Sequence, residues 1–191
     1  MFRRFALWMF KRTGWELDQN LPAEIRRCVV VAAPHTSNWD LWYTMAAFAI
    51  LRLKIRFTIK KEWMRFPFNL INRPMGGIAV DRRPRTPDKP RPSLVEAMTQ
   101  LFEDQKELIL LFTPEGSRSR REKWKTGFYT VAKNAGVPIC LGYVDYKLKK
   151  AGIGKTLYPS DFEKDMREIM AFYQKITARF PEKFSVDLDF V

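Results

Sequence analysis

The chain contains one histidine, His35, in the run Pro34-His35-Thr36-Ser37-Asn38-Trp39-Asp40. Imidazole is the side chain whose ordinary proton affinity lies nearest neutral pH, so His35 is the first candidate for a general base. Asp40 follows it. On a continuous helix, neighbours on one face are three or four residues apart, and these two are not. The spacing works if His35 lies in a turn and Asp40 in the first turn of the next helix. Asp40 could then accept a hydrogen bond from one ring nitrogen and fix the tautomer, leaving the other nitrogen free to take a proton. The positive helix end would favour neutral imidazole, and the carboxylate would stabilise the ring once protonated. The same residues also read as helix punctuation, with Ser37 or Asp40 as a cap. Residue types alone leave both readings open.

A second group is Thr113-Pro114-Glu115-Gly116-Ser117-Arg118. Gly116 can let the backbone approach a ligand closely, Ser117 can donate, and Arg118 can grip two oxygens of a phosphate at once. Read plainly, it is a polar turn between a strand and a helix. Between the two groups lies Gly76-Gly77-Ile78-Ala79-Val80-Asp81-Arg82, where Asp81 could hold Arg82 as an ion-pair partner.

Apolar patterning names the elements that must position these groups. Continuous β-branched and aliphatic runs predict buried strands over 28–33 and 108–113, with further strands over 55–59, 78–80, 138–146 and 153–158. Helical spacing predicts helices over 38–51, over 63–73 with a break at Pro67, and over 93–107 with Ser93 as N-cap. Further helices are predicted over 126–134, ended by Gly136, and from a cap at Ser160 or Asp161 to about residue 180. The alternation FSVDLDF over 184–190 reads as a late edge strand. Strand and helix in repeated alternation give an α/β fold: one layered domain with a mostly parallel or mixed central sheet flanked by helices. Ligands of such sheets gather at the carboxyl ends of the strands, which is where both His35 and the 113–118 group fall.

With 191 residues, 46% apolar and 14% aromatic, the chain suits one domain with a sizeable core and not disorder. A single histidine rules out multi-histidine metal sites. Cys28 and Cys140 lie in or beside apolar runs and read as buried free thiols in a reducing compartment. The net charge of +13 is localised: residues 52–92 carry +9 and residues 118–133 carry +5. Such a field draws in anions, whether phosphate groups, anionic lipid headgroups or nucleic acid. Nothing in the chain approaches the ~20 uninterrupted apolar residues of a membrane span. Residues 1–25 form an aromatic, basic N-terminal segment ahead of a main domain over 26–191. Two readings of its helix stand, a membrane-interface helix or an ordinary amphipathic helix packed on the core. The aromatics of 63–70 carry the same pair of readings, headgroup depth or core.

Together these pieces resemble the glycerolipid acyltransferase family, whose best-known members acylate 1-acylglycerol-3-phosphate. His35 and Asp40 match its His-x4-Asp motif, with Ser37 where a serine is usual. Gly77 to Arg82 match the second block, and Pro114 to Arg118 match Pro-Glu-Gly-Thr-Arg with Ser117 for threonine. Val137-Pro138-Ile139 match the fourth. The resemblance implies a glycerol-3-phosphate acyltransferase-like fold. It also implies transfer of a fatty acyl group from an acyl thioester, of coenzyme A or acyl carrier protein, to the free hydroxyl of a lysophospholipid, giving phosphatidic acid. In that reading His35 and Asp40 are catalytic, and Arg82 and Arg118 hold the acceptor phosphate. Glu115, Gly116, Ser117 and Ser37 shape the substrate site, main-chain N–H groups near the turn are candidate oxyanion donors, and no metal or redox cofactor is needed. The protein would sit peripherally on an anionic membrane surface at the cytoplasmic face. Another lysophospholipid or a lyso-aminolipid is the rival acceptor. Binding of anionic lipid or nucleic acid without catalysis is the remote alternative; no recognisable nucleic-acid module is present.

Overall fold

The computed structural model describes residues 1–80 and 92–191. Seven strands form one sheet in the order β1-β7-β6-β2-β5-β3-β4. These are β1 (Glu16–Gln19), β2 (Arg27–Ala32), β3 (Ile55–Lys60), β4 (Gly77–Val80), β5 (Leu108–Phe112), β6 (Ile139–Asp145) and β7 (Lys150–Leu157). Every neighbouring pair is parallel except β6 with β7, so the sheet is mixed.

The central strand β2 shows why the layers form. It is apolar on both sides, and alternate side chains point to opposite faces. Val29 and Val31 join Leu110, Leu141, Phe102, Phe128 and Met170 in one core. That core is covered by α4 (Leu94–Asp104), α5 (Gly127–Ala135) and α6 (Phe162–Tyr173). Cys28, Val30 and Ala32 face the other way, against Phe48 of α2 (Asn38–Ile50). Helix α1 (Phe2–Thr13) packs outside α2, burying Ala6 and Phe10. Cys28 and Cys140 are both buried and free, as expected.

Local signals place several boundaries. Ser93 caps α4 by accepting from the Glu96 N–H at 3.0 Å, while the Glu96 carboxylate reaches back to the Ser93 N–H. Gly136, left-handed at φ +61, ends α5.

Four expectations need correction. Residues 184–190 form no strand; the chain there is an extended strap that ends in a 3-10 turn over Leu188–Phe190. Trp124 donates its main-chain N–H to Asp187 (2.8 Å) and its indole N–H to the Ser185 carbonyl (3.0 Å), so side-chain bonds replace a sheet ladder. Helix α6 stops at Tyr173, because the end of β6 captures the chain around Thr177: Asp145 accepts from the Thr177 N–H and Tyr146 donates its main-chain N–H to the Thr177 carbonyl. Over 63–73, Pro67 leaves only a 3-10 turn (Lys61–Met64) and a short helix α3 (Asn69–Asn72). Strand β1, polar in sequence and not foreseen, adds beside β7 and ties residues 16–19 into the main sheet.

Candidate active site

Strands β2 and β5 are parallel neighbours, with Val31 opposite Phe112, so the turns at their carboxyl ends emerge side by side. The His35 N–H donates to Glu115 Oε1 at 2.9 Å and binds the two turns together. The juxtaposition of the two motifs is therefore direct contact.

Asp40 lies in the first turn of α2, with Ser37 at the N-cap in extended backbone. Its Oδ2 accepts the main-chain N–H groups of Thr36 and Ser37, both at 2.6 Å, and the Thr36 hydroxyl at 3.4 Å, and its Oδ1 accepts the hydroxyls of Ser37 (3.1 Å) and Tyr146 (2.8 Å). The capping reading of this run is thus correct. Among the described residues Asp40 takes no hydrogen bond from the His35 ring, contrary to the simplest expectation, because these five donors already occupy its oxygens. The carboxylate acts on the imidazole through its charge, which raises the ring's proton affinity. Burial is the stronger influence and lowers it, and the Arg118 charge lowers it further. The net effect is a ring held neutral at pH 7. The Glu115 and Asp40 carboxylates engage the amides of His35, Thr36 and Ser37, so these three amides are not free as oxyanion donors.

Arg118 lines a cleft of about 320 Å³ together with His35, Gly116 and Lys125. Gly116 sits in left-handed backbone at φ +66, and a Cβ there would come within 2.9 Å of the Lys125 ammonium nitrogen. The Lys125 main chain is fixed in turn by its N–H bond to the Pro114 carbonyl (2.9 Å). Much of the remaining lining is apolar, from Leu41, Phe57, Val95, Met98 and Phe128. Cations beside hydrocarbon suit an amphiphilic anion.

Other expected site residues lie elsewhere. Ser37 is buried on Asp40, and Glu115 is buried beneath the His35 main chain. Ser117 accepts from Arg121 Nε at 3.2 Å and is not part of the cleft wall. Asp81 and Arg82 lie outside the described residues. Sequence reasoning missed Tyr146, which lies just beyond β6 and has no local motif.

Burial raises the Glu115 carboxyl to about 7, against the lowering effect of the His35 N–H, and its Oε2 has no partner among the described residues. The folded state therefore binds this proton more tightly than the unfolded state, so stability falls as pH rises from about 4.5 to about 7. Glu115→Gln is expected to remove that slope, worth about 3 kcal/mol between the two states. Urea melts of both proteins at pH 5 and pH 8 check it. Equal slopes would show that Glu115 is charged throughout.

The profile of the Acyltransferase family matches residues 15–141, which spans both turns and most of the chain. The chain belongs to the Acyltransferase family. The crystal structure of the 1-acyl-sn-glycerophosphate (LPA) acyltransferase PlsC from Thermotoga maritima has a similar fold. It matches with a TM-score of 0.59 at 16% sequence identity, over 91% of this chain and 76% of that one. No curated protein matches the chain. In this acyltransferase the matched region contains His35, Asp40 and the 113–118 turn, and it ends within β6.

Proposed function

We propose that this acyltransferase moves a fatty acyl group from an acyl thioester to the free hydroxyl of a lysophospholipid, with 1-acylglycerol-3-phosphate as acceptor and phosphatidic acid as product. One observation carries the reading: the bond between the His35 N–H and Glu115 seats the imidazole in the wall of a cleft that also holds Arg118 and Lys125. The His35 ring takes the proton of the acceptor hydroxyl as its oxygen attacks the thioester carbonyl carbon. Collapse of the tetrahedral intermediate breaks the carbon–sulfur bond, and the departing thiolate takes the proton back from the imidazolium. The Asp40 charge stabilises that imidazolium. Arg118 and Lys125, with Arg82 of the second block, hold the phosphate, and Gly116 lets it approach the backbone. Ser37 and Glu115 hold Asp40 and His35 in place, and Ser117 steadies the turn through Arg121. Cys28 and Cys140 are buried inside the sheet, so the transfer is drawn without an acyl-cysteine, and no step calls for a metal or redox group.

Purified protein supplied with coenzyme A and carrier-protein thioesters and a panel of lyso-lipids tests the reading, with products read by mass spectrometry. Phosphatidic acid from 1-acylglycerol-3-phosphate is the expected product. Transfer only to a phosphate-free or amino acceptor would overturn the acceptor assignment, and no transfer to any would overturn the reaction. Within that assay Arg118→Ala is expected to raise the acceptor KM by roughly tenfold or more, the loss of a charge-assisted hydrogen bond, while the thioester KM stays unchanged. A change confined to the thioester would move Arg118 to the donor site. The clustered positive charge supports peripheral attachment at the cytoplasmic face of a membrane, and among the described residues no helix is long and apolar enough to cross one.

A further inference from the structure

Of residues 118–125, only Trp124 is buried. The rest of that loop is exposed and carries Arg118, Arg120, Arg121, Lys123 and Lys125 against one acid, Glu122. Like charges this close repel, and the stretch between β5 and α5 has no helix or strand to hold it down. Its Lys125 ammonium nonetheless stands over Gly116, in the wall of the His35 cleft. The course of the loop is set from outside it.

The support is the strap. Both hydrogen bonds and both ring contacts of Trp124 reach α6 or residues 184–187. Asp187 Oδ2 accepts the Trp124 N–H at 2.8 Å, and the Ser185 carbonyl accepts the indole N–H at 3.0 Å. The Tyr173 and Phe184 rings lie 5.4 and 6.4 Å from the indole. Two ties flank this anchor: the Leu188 N–H donates to the Glu122 carbonyl at 3.1 Å, and Lys123 pairs with Asp189 at 2.9 Å. Asp187 is only 3% exposed, with its Oδ1 taking the Asp189 N–H (3.1 Å) and its own N–H donated to the Met170 sulfur of α6 (3.1 Å). Successive peptide groups of the loop are thus pinned by two elements, the Trp124 N–H by the strap and the Lys125 N–H by the Pro114 carbonyl (2.9 Å). With both fixed, the Lys125 side chain leaves the backbone from one place in one direction.

We propose that Asp187 is a positioning residue of the acceptor site, acting through Trp124 to hold the Lys125 ammonium where the acceptor phosphate binds. This role rests on the reading of Lys125 as a phosphate contact. An anion that meets a preset cation does not bear the entropy of ordering the loop, whereas a loop free to swing loses that entropy from its affinity. No residue of 184–190 lines the cleft, so the strap governs acceptor affinity and leaves the chemistry at His35 alone.

Asp187→Ala tests the role by proteolysis and by kinetics. Under native conditions trypsin cuts after the exposed Arg120, Arg121 and Lys123, with the sites read by mass spectrometry, and the variant is expected to be cut roughly tenfold faster than the wild type. In the transfer assay its acceptor KM is expected to rise roughly tenfold, with kcat and the thioester KM unchanged. Asp187→Asn keeps an oxygen for the Trp124 N–H and should return the KM to within about twofold of the wild type. Lys125→Ala should raise the KM by itself, and adding Asp187→Ala should raise it no further, because the cation that the strap positions is gone. An acceptor KM that stays put in Asp187→Ala, or that rises as much in the Lys125→Ala background, would overturn the proposal and leave the transfer reading intact. If Asp187→Ala does not fold, Trp124→Phe takes its place: it deletes the indole bond alone and is expected to raise the acceptor KM severalfold, and an unchanged KM would overturn the proposal. A chain that transfers to no acceptor would sink the catalytic reading, and protection then decides the positioning role. Without thioester, 1-acylglycerol-3-phosphate should shield the wild-type loop from trypsin, and the Asp187→Ala loop only at roughly tenfold higher concentration. Equal shielding of both would overturn it.

Discussion

His35→Ala is expected to leave the protein folded and to lower kcat by at least a hundredfold, the usual scale for loss of a positioned general base. The fold survives because the ring is only half-buried and the bond that joins the two turns comes from the main-chain N–H, which alanine keeps. The acceptor KM should change little, since Arg118 and Lys125 remain. In the wild-type enzyme, transfer requires the neutral ring, so the rate rises with pH and levels off above the ring's pKa. Burial and Arg118 place that pKa below the ordinary histidine value of 6.5. Steady-state rates from pH 5 to pH 8 and a thermal melt of the variant check both parts. A variant that keeps its turnover, or a rate that falls as pH rises through this range, would remove His35 from the reaction.

Asp40→Ala is expected to damage both activity and stability. The carboxylate is buried and accepts from two amides and three hydroxyls. Alanine leaves those donors without an acceptor, at a cost of roughly 3 kcal/mol in unfolding free energy. It also removes the negative charge that raises the His35 proton affinity, so whatever turnover survives should show its acid limb displaced to lower pH. A purely structural Asp40 would change the melt and leave the acid limb in place. Tyr146→Phe separates the contributions further. It deletes one of the five bonds, costs about 1 kcal/mol, and keeps the charge, so its pH profile should match the wild type.

Much of the site was legible because its residues are close in sequence. His35 and Asp40 are separated by one turn and a helix start, and the 113–118 turn is continuous, so spacing alone suggested where each group would sit. Apolar runs located β2 and β5 for the same reason: a strand buried on both faces has to be apolar throughout. Where local preference and tertiary demand disagreed, pattern reading failed. The alternation of residues 184–190 matches a strand, but Trp124 and Met170 offer side-chain partners there and no open strand edge takes it. Strand β1 has the opposite character: polar residues extended only because the edge of β7 accepts them.

From the amino-acid order alone came the α/β class, the two turns at strand ends, the lone candidate base and the uneven charge. These follow from short-range sterics, apolar periodicity and residue chemistry, all of which act within a few positions. Only the assembled molecule decided that five donors, one from Tyr146 far along the chain, saturate Asp40, so that its influence on His35 is through charge. It also placed Lys125 over Gly116, buried Glu115 beneath the His35 backbone, and turned the rings of 63–71 outward. Each of those outcomes depends on which strands become neighbours and which surfaces are left uncovered, a balance of packing over the whole chain that no local stretch of residues contains.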